Sequence, residues 1–206
     1  MTASSLFSEL KKIMVASHNS GKITEISDLL RPLNITVQSA LGLGLADVEE
    51  TGSTFEENAI LKATQVAAAS NLVALGDDSG LMVDALGGDP GIYTARWAER
   101  PGKERNWEYA MGQVAQKLRD TGAKDWSAKF VCVLALAQPN GQVVVERGEV
   151  AGKLIWPLRG TKGFGFDPMF VPNGEILTFG EMDPTQKHQM SHRHFAFQKL
   201  LQKHLQ

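Results

Sequence analysis

The sequence predicts an α/β fold with a mixed β-sheet flanked by helices, and three observations carry that prediction. Short apolar runs of strand character alternate with stretches of helical periodicity from Lys12 to Leu118, the pattern by which parallel strands are linked through helices. Next comes a long apolar run, "AKFVCVLALA", joined through Asn140-Gly141 to a second strand-like run, "VVVERGEVAG". An Asn-Gly pair between two such runs signals a hairpin and adds antiparallel pairing, so the sheet is mixed. Finally, no internal repeat, low-complexity tract or Pro/Ser-rich linker interrupts the chain.

Each element has a local reason. "KIMVAS" reads as a short buried strand, and Ile23, Ile26, Leu29 and Leu30 give Gly21–Leu30 a helical stripe that Pro32 ends. "NITVQS" alternates as a second strand, and Ala40–Gly52 reads as a loop with an acidic end, "DVEETG". The Ser53-Thr-Phe-Glu56 pattern is a capping box, opening a helix with Phe55, Ala59, Ala63, Val66 and Ser70 on one face. "LVALG" is a short strand that leads into a long glycine-rich loop starting at Asp77. Trp107, Met111, Val114 and Leu118 mark an amphipathic helix, and the last third holds "GTKGFGFDPMFVP", a polar segment "TFGEMDPTQKHQM" and a helix from a Ser191 cap through Leu205.

With 206 residues and a 43% hydrophobic share, the chain can bury a core as one domain, 1–206, or as two lobes sharing one sheet. Residues 1–12 are expected to be a loosely attached N-terminal extension. The formal charge of −2 lacks the Lys/Arg excess that wrapping duplex DNA requires, which leaves small anionic ligands that need only a local patch. Neither a nucleic-acid nor a membrane partner is expected. The single Cys132 lies in an apolar run and reads as a buried small hydrophobe. The N-terminus lacks a secretory apolar core, and no run approaches the ~20 apolar residues that span a bilayer. A cytoplasmic location is the expectation.

Four stretches could carry chemistry. "VASHNSGK" fails as a nucleotide P-loop, because Ala16 stands at its first glycine and Ile23 at its magnesium-binding hydroxyl. A helix start with a lysine still suits phosphate, although a capped connector would leave the same trace. In "LGDDSGL", Asp77 and Asp78 point opposite ways on an extended segment, so one of them faces a given cleft. The carboxylates here and in "DVEETG" suit Mg²⁺ held by one or two carboxylates and substrate phosphates, whereas an Asx turn is the plain alternative. "GFGFDP" offers close backbone approach and phenyl faces, or simply a turn with two core aromatics. "KHQMSHRH" invites a zinc reading through His188, His192 and His194, but donors from Lys187, His192 and Arg193 fit phosphate or a purine edge better. Asn58 and Lys62 fall four apart on one helix face, and Lys62 is expected to bind phosphate.

Together, "VASHNSGK", "EETGSTFEENAILKA", "DDSGLMVDALGGDPGIYTARWA", "GFGFDPMFVP" and "SHR", in this order, resemble the inosine triphosphate pyrophosphatase family, from about Ile13 to Leu201. The resemblance implies an elongated mixed β-sheet flanked by helices, in two lobes with the active site in the cleft between them. It also implies a homodimer and a purine nucleoside triphosphate substrate. Ser17, Asn19 and Lys22 match the family's phosphate turn, which here comprises Ser17, His18, Asn19, Ser20, Gly21 and Lys22. His18 stands where glycine is frequent. Glu49 matches the metal-binding glutamate, Asp78 the metal-binding and proton-accepting aspartate, and Ser79 a substrate contact. Phe164, Gly165, Phe166 and Asp167 match the base-binding segment, with Phe166 in place of a common tyrosine. Lys187, His192 and Arg193 match further nucleotide contacts, and His194 replaces a small residue.

The implied reaction is Mg²⁺-dependent hydrolysis of ITP, dITP and XTP at the α-phosphorus, giving the monophosphate and pyrophosphate, with Lys22 and Lys62 on the leaving group. Discrimination against ATP would fall to donors facing a 6-oxo purine edge. The alternatives are a phosphatase or pyrophosphatase of other modified nucleotides, and a nucleotide sensor without turnover.

Overall fold

The computed structural model describes residues 10–205. Its strands are β1 (Lys12–Ala16), β2 (Thr36–Ser39), β3 (Ala74–Val83), β4 (Ser127–Ala137), β5 (Val143–Leu154) and β6 (Phe170–Pro172). Its helices are α1 (Ser20–Leu30), α2 (Phe55–Ser70), α3 (Trp107–Asp120), α4 (Pro184–Gln189) and α5 (His192–Leu200). The strands form one six-stranded sheet in the order β2-β1-β3-β4-β5-β6. β1 runs parallel to β2 and to β3, while β6 is antiparallel to β5, so the sheet is mixed. Of the N-terminal extension expected over 1–12, residues 1–9 lie outside the described residues. Leu10 packs against core side chains and Lys12 already opens β1.

The chain divides into two compact units: residues up to Asp78 with 132–148 and 193 onward, and residues 79–131 with 149–192. In the first unit, Ile13 and Val15 from β1 meet Ile26, Leu29 and Leu30 from α1 and Leu75 from β3. The period of two on the strand and of three to four on the helix turn each set to one side. Each such aliphatic side chain contributes about 1.5–3 kcal/mol when fully buried. Cys132 joins this core fully buried, as expected of a small hydrophobe. In the second unit, Met111, Val114 and Leu118 of α3 pack with Leu81 and Val83 of β3. Phe130, Phe170 and Phe179 cluster there, the first two with ring centroids 4.6 Å apart.

The structure departs from the sequence reading at four places. β3 does not stop at Gly76 but runs through both aspartates to Val83, because partners from elsewhere satisfy their charges. The capping box is shifted by one residue. Thr54 is the N-cap of α2, accepting from the Glu57 N–H, and the Glu57 carboxylate accepts from the N–H and hydroxyl of Ser53. Those hydrogen bonds hold the Glu57 carboxyl below its ordinary range. The polar segment after Phe179 contains α4, capped by Asp183 with Pro184 at its first position. The last helix loosens its winding at the end: α5 stops at Leu200 and a wider π turn covers Leu201–Leu205. No helix of the described residues is long and apolar enough to cross a membrane.

Candidate active site

In the first unit, β1 has β2 on one side and β3 on the other, with Ala16 opposite Gly76. The carboxyl end of β1 is therefore a topological switch point, where α/β sheets bind ligands. The turn 17–22 starts at this end. The Ser17 hydroxyl oxygen accepts from the Asn19 N–H at 3.1 Å. Asn19 is the N-cap of α1, its side chain accepting from the Lys22 N–H at 3.2 Å. Ser20 and Gly21 form the first turn of the helix, whose amide dipoles favour an anion. His18 needs no glycine-like backbone: among the described residues only Asn34 and Asn71 are non-glycines with positive φ. Its ring instead ties the turn to the acidic loop, through the Leu45 carbonyl at 2.9 Å and the Asp47 carboxylate at 3.0 Å.

The two aspartates of β3 diverge, as adjacent strand residues must. Asp77 is held by the Lys22 ammonium at 2.6 Å and by Arg193 Nε at 2.7 Å. Burial opposes its ionisation, yet these two cations hold its carboxyl well below the ordinary range. Asp78 meets Lys62 Nζ at 2.8 Å and the Asn58 amide nitrogen at 3.4 Å. Here burial prevails over the Lys62 and Lys22 charges and pushes the Asp78 carboxyl above its ordinary range. One strand thus carries a permanent anion beside a more basic carboxylate, an arrangement typical of sites that divide charge balance from proton transfer.

Asn58 and Lys62 reach Asp78 because α2 lies very close to β3. A Cβ at Gly76 would stand 2.2 Å from the Ala59 carbonyl oxygen, so only glycine admits this approach. The Asn58 side-chain oxygen also accepts from the Gly52 N–H at 2.8 Å, fixing the end of the acidic loop. Lys62 is buried. It also contacts the Glu50 carboxylate at 2.5 Å and the Asp77 carbonyl at 3.2 Å. Burial works against the ammonium, but Asp78 and Glu50 outweigh it and raise its pKa. Glu49, the sequence-expected metal ligand, is exposed, and Glu50 is the residue that shares a cation with Asp78. Arg193, 1% exposed, pairs with Glu25 of α1 as well as Asp77.

The second unit carries the other expected residues. Ser79 follows on β3, partly buried. Asp167 is buried, and its Oδ2 accepts from the Phe164 N–H at 2.8 Å and from Lys187 Nζ at 2.7 Å. Lys187 Nζ also stands 4.8 Å from the Phe164 ring centre. Gly163 and Gly165 adopt φ of 74° and 65°, and a Cβ at Gly163 would fall 2.0 Å from Asp167 Oδ2. Phe164 is partly exposed. Phe166 is instead a core aromatic, 1% exposed and edge-on to Trp107. Its missing hydroxyl leaves the core undisturbed. The His192 ring stacks on Phe130 at 4.9 Å, and His194, in the first unit, sits edge-on to Phe195.

Sequence reasoning passed over Glu25, the role of Gly76 and the anchoring role of Asp77. The available signals were Glu25 three residues after Lys22 on one helix face, and a glycine placed directly before two aspartates.

Comparison with known proteins places this geometry. Residues 13–203 match the model of the Ham1 family. A dITP/XTP pyrophosphatase of Rhizobium meliloti is 52% identical, over 91% of this chain and 92% of the relative. The dITP/XTP pyrophosphatase of Agrobacterium fabrum is 49% identical over 94% and 96%. Among solved structures, a HAM1 protein from Coxiella burnetii superposes with a TM-score of 0.83 at 37% identity, covering 93% of this chain and 96% of that one. A match this long, at this identity and with the same fold, means that the chain belongs to the Ham1 family.

Proposed function

We propose that the protein hydrolyses deaminated purine nucleoside triphosphates, ITP, dITP and XTP, to the nucleoside monophosphate and pyrophosphate. The dITP/XTP pyrophosphatases it resembles support the substrate class. The observation that carries the chemistry is Asp78, a buried carboxylate of raised basicity whose Oδ1 is fixed by Lys62. Its Oδ2, which among the described residues has the long 3.4 Å contact with Asn58, is the atom that takes the proton of the attacking water. Lys22 and Lys62 balance the charge gathering on the departing pyrophosphate. Ser17, His18, Asn19, Ser20 and Gly21 build the turn that receives the phosphates.

Mg²⁺ fits this residue set. The described residues offer no cage of three or more His, Cys, Asp or Glu, but Mg²⁺ needs only one or two carboxylates beside substrate phosphates. The carboxylates of Asp78 and Glu50 already converge on a cation, the Lys62 ammonium. We assign the ion to Asp78 and to the exposed Glu49, the glutamate that the family resemblance implies. When bound, it supplies charge neutralisation at the phosphate oxygens.

The base falls to Phe164, Gly165, Phe166, Asp167, Lys187, His192 and Arg193, with Ser79 as a further substrate contact. Phe164 offers a partly open ring, Phe166 and Asp167 brace the segment, and Lys187, His192 and Arg193 supply donors to a 6-oxo edge. Adenine presents a donor there. Leaving such buried groups unpaired costs roughly 1–3 kcal/mol each, so two contacts give a preference on the order of a hundredfold to ten-thousandfold. A homodimer, which rests on the family resemblance, and a cytoplasmic location, which rests on the sequence reading, complete the proposal. Purified protein incubated with ITP and MgCl₂ should yield IMP and pyrophosphate. Orthophosphate as the product, or binding without turnover, would replace this reading with a phosphatase or a sensor.

A further inference from the structure

We propose that Asp77 is a positioning residue for the phosphate end of the site: its carboxylate fixes the Lys22 ammonium, and Arg193 in turn fixes the carboxylate. The inference deepens the proposed function and rests on its assignment of Lys22 to phosphate.

The observation behind it is a run of alternating charges that begins and ends on α1. Lys22 Nζ meets Asp77 Oδ1 at 2.6 Å, Arg193 Nε meets Asp77 Oδ2 at 2.7 Å, and the Arg193 guanidinium reaches Glu25. Lys22 and Glu25 stand three residues apart, on one face of the helix. The Cys132 thiol donates to Asp77 Oδ2 as well, at 3.4 Å. Asp77 and Arg193 are each 1% exposed.

A lysine is a point charge on a flexible four-carbon stem. Left to itself, it would sample many positions at the mouth of a solvated turn. Asp77 cannot follow it, because Arg193 and Cys132 hold its Oδ2 and the backbone is held in the middle of β3. The arginine that orients the carboxylate is itself fixed by its planar fork between two acids. Stability alone does not account for this arrangement, since well-packed apolar side chains can replace a buried ion network at little or no cost. What apolar residues cannot do is set a cation at a defined point, a condition for electrostatic stabilisation without reorganisation during reaction.

The test is a double-mutant cycle of Lys22→Met and Asp77→Asn, read in two ways: kcat/KM for pyrophosphate release from ITP, and calorimetric binding of pyrophosphate in MgCl₂. Lys22→Met should lower kcat/KM by roughly 10²- to 10³-fold, in line with loss of one preorganised donor. Asp77→Asn should lower it by about 10- to 100-fold. The double variant should fall no more than about threefold below Lys22→Met, because Asp77 acts through the lysine that is already gone. Pyrophosphate affinity should show the same non-additivity. Losses that multiply, or parent-like binding by Asp77→Asn, would overturn the proposal. Should Asp77→Asn fail to fold, Asp77→Glu keeps the charge while displacing it by one methylene. A loss of at least about tenfold that is non-additive with Lys22→Met supports the proposal, and parent-like values overturn it. The binding cycle needs no turnover. A parent that binds pyrophosphate but releases none from ITP would remove the proposed reaction while the cycle still decides the role of Asp77.

Discussion

Asp78 and Asp77 differ by one position in sequence and oppositely in charge behaviour, and the difference comes from their neighbours. Asp78 has burial working against its anion with one close ammonium, whereas Asp77 has two close cations. Asp78→Asn should lower kcat by at least about 10³-fold, the scale of losing a general base together with a metal ligand. Thermal unfolding should stay close to the parent's, because Lys62 retains Glu50. Turnover within a few fold of the parent would remove Asp78 from its role. The two glutamates of the acidic loop should separate: Glu49→Gln raises the Mg²⁺ concentration needed for half-maximal activity, and Glu50→Gln chiefly lowers kcat through a loosened Lys62. A Mg²⁺ titration of both variants checks this. At the base end, His192→Ala should lose preference for ITP over ATP. Equal loss on both substrates would exclude base reading. Sequence singled out Asn58 with Lys62 on one helix face and Asp78 separately, and the structure joins the three in one cluster. It could not choose between Glu49 and Glu50, because neighbouring loop residues of one chemical type carry no directional pattern.

At the scale of elements, the close packing of α2 on β3 sets the geometry around Asp78. Gly76→Ala would press a methyl group into the Ala59 carbonyl. That overpacking should cost roughly 1–3 kcal/mol and move Lys62 away from Asp78. Chemical denaturation gives the first effect and kcat the second; a variant as stable and active as the parent would refute the close-approach argument. Apart from α4, which lies in a segment read only as polar, the helices and most strands were legible in the sequence because their apolar periods are regular. Two boundaries were not. Reading β3 only to Gly76 followed from the expectation that charges end a buried strand, and that expectation fails where Lys22, Arg193 and Lys62 arrive from distant segments. The α2 cap slipped by one residue because Ser53-Thr54 and Glu56-Glu57 allow two registers of the same motif. Only the hydrogen bonds select Thr54 and Glu57.

For the whole molecule, each unit carries its own hydrophobic core, and in the first unit the C-terminal turn is tied down by Glu146. That carboxylate accepts from Lys203 at 3.0 Å and pairs with His204 at 3.1 Å. Burial raises its pKa, but the two partners outweigh burial and hold it below the ordinary range. A depressed carboxyl contributes stability above its unfolded pKa of about 4.3 and loses it as pH falls through the folded value. Glu146→Gln should therefore cost roughly 1 kcal/mol at neutral pH, and the difference from the parent should shrink as pH falls below the unfolded value and vanish once it is below the lower folded one. Denaturation at several pH values checks the sign. The central claim, however, concerns where water attacks. Hydrolysis of ITP in oxygen-18 water, followed by mass spectrometry of the products, tests it most directly. The account predicts label in IMP and none in pyrophosphate. Label in pyrophosphate, or in released orthophosphate, would contradict it.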